Sequence, residues 1–233
     1  MTFDLNPRPV ASLTHAGHDR EPVLQVDGLM LDPETLIEFA AGGQAFAPAY
    51  GPNGGYPGIR APAPLPYVET VARGLDPLVR EAFGLRGVAL AHADCNLSLV
   101  TLAPGELVPP QRVPHIDTTY PLQFAFLHYL CGTELGGTAL YRHRATGYEA
   151  LTPERLPRYE TIRLAEAEAA PGYITGDTDH FEQTAALDAA FNRLIVYRSC
   201  VLHSGRIPAD AALSPDPRQG RLTANIFLSY RAA

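Results

Sequence analysis

No lysine occurs anywhere in the 233 residues, so all 18 basic side chains are arginines. That absence excludes Schiff-base chemistry, a lysine general base and a lysine-dependent phosphate loop. Cysteine is scarce too. Cys95, Cys131 and Cys200 are odd in number, widely spaced and without a CxxC pair, which predicts reduced thiols in a cytoplasmic protein. No run approaches the roughly 18 apolar residues needed to span a bilayer, and no cationic stretch followed by an apolar one opens the chain. An excess of basic charge is missing as well, because 18 basic residues face 25 acidic ones for a net charge of −7. A phosphate-neutralising surface is therefore not expected, and with it no nucleic-acid partner. What is present, 46% hydrophobic and 18% charged residues without biased tracts, describes a globular chain long enough to bury a full core.

The patterning is helical before Gly87 and β after it. Val23 to Val26 reads as a short strand stopped by Asp27-Gly28. Asp32-Pro33-Glu34 opens a helix with Asp32 as N-cap and Pro33 in the first turn, and Gly42-Gly43 closes it. Residues 47–66 are crowded with proline and glycine and predict an irregular arm. Residues 67–83 resume helical spacing, broken near Asp76-Pro77. Runs at 88–102, 122–130, 138–141, 194–202 and 222–230 read as strands, and between them a long insert, 142–192, has a middle rich in Glu, Arg and Ala that predicts some helix. The expected fold class is α+β, mainly β. It is one structural domain in which residues 1–87 form a helical and proline-rich layer on a core of residues 88–233, a double-stranded β-helix of the jelly-roll or cupin-like kind.

The chemistry concentrates in a few places. In Val113-Pro114-His115-Ile116-Asp117, residues i and i+2 of an extended backbone share a face, so His115 and Asp117 converge. An imidazole and a carboxylate completed by a second imidazole form the ligand set that leaves half of an octahedral iron open. His203, in Val201-Leu202-His203-Ser204 after an apolar strand, is the candidate second imidazole. A surface salt pair is the competing reading of the His-x-Asp motif alone. Downstream, Arg221-Leu222-Thr223-Ala224-Asn225-Ile226 alternates: one face packs on an apolar layer, and the other turns Arg221 and Thr223 inward. A buried guanidinium needs an anion, and its planar fork matches a carboxylate, either of a ligand or of a protein Asp or Glu.

The ordered set Pro114-His115-Ile116-Asp117, Phe126-Leu127-His128-Tyr129-Leu130, Gly136-Gly137-Thr138, Leu202-His203-Ser204 and Arg221-Leu222-Thr223 resembles the Fe(II)- and 2-oxoglutarate-dependent oxygenases. It is most similar to their prolyl-hydroxylase-like branch, and within it to a bacterial subgroup, over residues 88–231. The resemblance implies that His115, Asp117 and His203 ligate Fe(II). It also implies that Arg221 pairs with the distal carboxylate of 2-oxoglutarate, that Thr223 supports this contact, and that Tyr129 donates its hydroxyl to the same carboxylate. The implied activity is hydroxylation of a C–H bond in a small molecule, amino acid or peptide side chain. Asp117 fills the coordination position that a halogenase would give to halide. The interval from His203 to Arg221 is 18 residues, longer than is usual in that family, so Arg206 competes with Arg221 as the anchor. Two other classes keep the barrel: a cupin-like, non-catalytic metal or ligand binder, and a cosubstrate-independent isomerase or dioxygenase. Neither needs the anchor that Arg221 and Tyr129 would form. The expected partner is a small-molecule or peptide substrate, with no membrane, and a homodimer is compatible with the chain.

The other histidines read differently. His15-x-x-His18 lies in an unpatterned polar segment, and His92-x-Asp94 copies the His-x-Asp spacing with no second histidine and arginine strand left to serve it. His128 reads as a core or metal-supporting residue, and His143 and His180, near or in the insert, as solvated loop residues or, less simply, substrate contacts. Arg60 is either a substrate contact or half of a structural ion pair. The insert leaves and rejoins the barrel beside the metal-bearing strands, so it is expected to form part of a substrate-side lid, with hinges at Pro171-Gly172 and Gly176-Asp177.

Overall fold

A computed structural model describes residues 1–233. The elements run β1 (Val10–Ala16), β2 (Glu21–Asp27), α1 (Glu34–Ala41), β3 (Ala47–Gly51), β4 (Gly54–Pro62), α2 (Leu65–Ala82), β5 (Val88–Val100), β6 (Gln123–Tyr129), β7 (Gly137–His143), α3 (Leu156–Ala165), β8 (Phe181–Asp188), β9 (Arg193–Arg198), β10 (His203–Arg206) and β11 (Leu222–Ala232). The chain is mainly β, and every strand pair is antiparallel. An eight-stranded sheet has the order β1-β2-β9-β6-β11-β5-β4-β3, and a three-stranded sheet the order β10-β7-β8. No helix is long and apolar enough to cross a membrane.

The period-2 alternation of the central strands decides which face goes where. Leu222, Ala224, Ile226 and Leu228 of β11, with Phe124 and Phe126 of β6 and Leu97 and Leu99 of β5, pack beneath Tyr67, Val71, Leu75 and Val79 of α2 in the largest core cluster. These helix positions recur at 3.6-residue spacing, which is why residues 65–82 form a helix there. Truncating Leu75 to Ala in this layer would cost about 2–5 kcal/mol. The opposite face of the same sheet packs Ala125, Tyr129, Ile195 and Tyr197 against Leu140 of β7 and Val201 in a second cluster.

Several expectations are corrected. The proline-rich stretch 47–66 is not an irregular arm: most of it is the β3–β4 hairpin, and β4 is bonded to β5. Pro48 falls where a missing N–H is harmless, since it lies on the edge strand and the β3–β4 register shifts between Pro48 and Tyr50. Residues before Gly87 thus contribute four strands to the large sheet, not only a helical layer. β1 left no hydrophobic signal because six of its seven residues are exposed on an edge. The second helix runs through Pro77 unbroken. Pro77 and Arg73 are both exposed, so the Arg73 carbonyl that loses its intrahelical partner can take water instead. The first helix starts at Glu34 with Pro33, not Asp32, at the N-cap position. The strand expected over 194–202 ends at Arg198, and after a turn in which Val201 N–H bonds the Arg198 carbonyl the chain enters β10 in the other sheet. The insert contains the expected helix, α3, but also strand β8.

Candidate metal centre

The crossing between sheets is what assembles the site. His203 is the first residue of β10. His115 lies in a non-strand segment that forms a single antiparallel bridge to it, each backbone N–H donating to the other's carbonyl at 2.9 Å. Such a pair puts both side chains on one face, and the two imidazole centroids are 4.4 Å apart. Asp117 is held by its own N–H donating to the Ser199 carbonyl at 2.9 Å. The ligand atoms of His115, Asp117 and His203 all lie within 4.8 Å of one another. The Nδ1–H of His203 donates to the Val201 carbonyl at 2.9 Å, because a carbonyl can only accept. Nε2 is therefore the lone-pair nitrogen, and it lies 3.7 Å from Asp117 Oδ2.

Burial pushes the His203 imidazole down to about 4, opposed by its bond to the Val201 carbonyl. His115 shifts the same way by burial, with His203 and Arg60 adding to it and Asp117 opposing, but it is exposed to the cavity and water moderates the effect. Burial raises the Asp117 carboxyl against the pull of His115 and Arg60. Near neutral pH both imidazoles are thus neutral donors, the form a metal requires.

The three residues stand on the wall of a cavity of about 380 Å³ whose lining also includes Arg60, Thr138, Tyr197, Arg221 and Asn225. Arg221 is buried, donates from Nε to the Leu135 carbonyl (3.1 Å) and from Nη2 to the Gly137 carbonyl (2.8 Å), and forms no ion pair with a protein carboxylate. The choice between a ligand anion and a protein acid thus loses its second arm. Arg206 lies off the cavity and is paired with Asp188. Tyr129 does not itself line the cavity: its ring lies 5.6 Å from the Arg221 guanidinium, and its hydroxyl meets Thr138 Oγ1 at 2.7 Å. Thr223 shares the Tyr129 face by register, and its hydroxyl is buried without a partner. Tyr56 Oη, which faces Thr223, and Tyr197 Oη and Asn225 Oδ1, all on cavity-lining residues, are likewise buried without a hydrogen bond of normal geometry. Orphaned polar atoms cost about 1–3 kcal/mol each unless something satisfies them, so a cluster of them around a triad and an unpaired guanidinium fits a polar, anionic ligand and a metal.

The remaining candidates fall elsewhere. His128 is a core residue. Asn192 Oδ1 already accepts from Met30 N–H, so His128 Nε2–H donates to it at 3.1 Å while Nδ1 accepts from Tyr67 Oη at 3.0 Å. His143 is fully buried rather than in a solvated loop, with Nε2 2.8 Å from Glu166 Oε1, and His180 faces the same carboxylate at 3.6 Å. His18 donates its backbone N–H to Glu149. Of the insert, only Tyr173 reaches the cavity, its hydroxyl bonded to the Leu102 carbonyl at 2.7 Å. Tyr56, Tyr173, Tyr197 and Asn225 were missed as site residues. For Asn225 the signal was there, in the same alternation that places Arg221 and Thr223.

A family model described as "Family of unknown function (DUF6445)" matches residues 7–228. The chain belongs to this family. No curated protein matches it. Among solved structures it is similar to HygX from Streptomyces hygroscopicus with nickel, 2-oxoglutarate and hygromycin B bound, at 11% identity and a TM-score of 0.48 over 91% of this chain and 84% of that one. AviO1 from Streptomyces viridochromogenes Tue57 gives 12% and 0.46 over 88% and 89%. An N-substituted L-amino acid dioxygenase from Burkholderia ambifaria AMMD gives 11% and 0.38 over 95% and 93%.

Proposed function

We propose that this DUF6445 chain is an Fe(II)- and 2-oxoglutarate-dependent oxygenase on a double-stranded β-helix core, of the prolyl-hydroxylase-like branch. In this reading it works in the cytoplasm and hydroxylates a C–H bond of a small molecule, amino acid or peptide side chain. The observation that carries this reading is one cavity with the His115, Asp117 and His203 donors on its wall and, also lining it, a buried Arg221 with no acidic partner.

His115 and His203 would each give one imidazole nitrogen and Asp117 one carboxylate oxygen to the metal. The Val201 carbonyl fixes which nitrogen of His203 is offered. The remaining N–H groups of Arg221, beyond those spent on Leu135 and Gly137, would bind the far carboxylate of 2-oxoglutarate, with Thr223 and the Tyr129–Thr138 hydroxyl pair beside them. Leu127 and Phe227 line the cavity with apolar surface and limit water near the reacting groups. Bound Fe(II), with 2-oxoglutarate and O2, supplies the oxidation of the substrate C–H bond, coupled to decarboxylation of 2-oxoglutarate to succinate and CO2.

The test is succinate formation by purified protein from 2-oxoglutarate, Fe(II), O2 and ascorbate with no substrate added. Slow succinate release that disappears in Asp117→Ala supports the reading. No succinate above that variant, with metal bound, would point instead to the non-catalytic metal binder.

A further inference from the structure

Arg60 sits on β4, in register with Ser98 of β5, which is in register with Thr223 of β11 and, one strand further, Tyr129 of β6. Residues in register share a face, so Arg60 belongs to the same cross-strand row as the groups beside Arg221. β4 lies tight on β5: a Cβ at Gly58 would come 1.9 Å from the Leu99 carbonyl oxygen, so no larger residue fits there. Arg60 lines the cavity, half-buried. Its Nε donates to Ser98 Oγ at 3.1 Å, and its guanidinium lies 4.3 Å from the Tyr56 ring centroid, which holds its plane. It forms no ion pair, so the structural role open to it in the sequence is not the one it has. Its two terminal nitrogens are left without a protein partner.

The charges of the proposed site show why this matters. A divalent metal and Arg221 together balance Asp117 and the two carboxylates of 2-oxoglutarate. Arg60 is then the one cavity charge left over. Accepting the oxygenase reading, on which this step rests, we infer that Arg60 is the anchor for a carboxylate on the substrate, and that the substrate is a small monoanionic molecule. A carboxylate suits the free edge because two parallel N–H groups in one plane match its two oxygens. Tyr56 and Tyr173, both on the cavity wall, offer the rest of the molecule aromatic surface.

The test uses the full-length chain loaded with Mn(II) and 2-oxoglutarate, and two pairs of probes: benzoate against benzamide, and 3-phenylpropanoate against its amide. Binding is read from the relaxation that Mn(II) imposes on the probe's NMR signals. In the native chain an acid should bind about tenfold or more tightly than its amide, a difference lost in Arg60→Gln and only partly kept in Arg60→Lys, which keeps the charge but not the planar fork, with the 2-oxoglutarate Kd of both variants within about twofold of native. If no acid binds better than its amide, or if the preference survives in Arg60→Gln, the inference is overturned. It is also overturned if Arg60→Gln weakens 2-oxoglutarate as strongly as Arg221→Ala does, since Arg60 would then serve the cosubstrate. Failure of the native chain to bind 2-oxoglutarate at all would count against the oxygenase reading, and the inference would then be decided on the Mn(II)-loaded chain by whether the acid preference falls in Arg60→Gln, since Arg221 and the metal are also open to the probe.

Discussion

The chain contains the His-x-Asp spacing twice, and the two copies have different fates. His92 and Asp94 lie on β5, exposed, opposite Ser229 and Phe227 of β11, and gather no third donor. His115 and Asp117 lie outside any strand, yet a backbone bridge to His203 and a bond to Ser199 bring a second imidazole alongside. The lesson is that the spacing only turns two side chains to one side. What makes a site is the element that crosses in front of them, here the turn from β9 into β10.

The largest expected effect sharpens that contrast. His203→Ala or His115→Ala should weaken Mn(II) or Fe(II) binding by at least about 100-fold, since each removes one of three protein ligands, whereas His92→Ala should leave it unchanged. Equilibrium dialysis with metal analysis measures both, and an equal loss in His92→Ala would break the comparison. Next, Arg221→Ala should raise the 2-oxoglutarate Kd about 30-fold or more, the loss of roughly 2–3 kcal/mol from a charge-assisted contact. Arg206→Ala should not, because Arg206 is spent on Asp188.

A third contrast is between histidines that face the cavity and one that does not. His128 is fully buried, and burial pushes its imidazole down from 6.5 to about 4, opposed by its bond to Asn192. Between those values the unfolded chain binds a proton that the folded chain refuses. His128 therefore makes stability fall as pH drops from 6.5 towards 4, by up to about 1.4 kcal/mol per pH unit. Denaturant titrations across this range should show a shallower slope in His128→Gln than in the native chain, and equal slopes would rule the assignment out. Smallest of all, Tyr129→Phe removes a hydroxyl that reaches the cavity only through Thr138 Oγ1, and should raise the 2-oxoglutarate Kd by no more than about five-fold, about 1 kcal/mol, in calorimetric titration.

How much of this was legible follows the same physics. The faces of β11 and β6 were readable because burial on one side imposes alternation. Leu222, Ala224, Ile226 and Leu228 pack under α2, as their spacing requires. The convergence of His115 with Asp117 was readable from local geometry, and the proximity of His203 only through the ordered motifs. The rest was hidden because the signal lay in partners rather than in sequence. β1 is exposed on an edge and buries almost nothing. The β3–β4 hairpin carries Pro48 at a bulged edge, in a stretch that composition alone assigns to a loop. Composition thus places Tyr56 and Arg60 on an arm, whereas both stand on the cavity wall, Arg60 in register with Ser98 of β5. His143 reads as a loop residue from its place beside the insert, but α3 and the segment after it cover it, and Glu166 supplies its partner.

The central claim is that the triad and Arg221 act on one ligand from two sides, and calorimetric titration of 2-oxoglutarate with and without Mn(II) tests it most directly. The account predicts one equivalent bound to the Mn(II)-loaded chain, with at least about tenfold weaker binding once the metal is removed. Equal affinity with and without Mn(II), or no binding to the loaded chain, would contradict it.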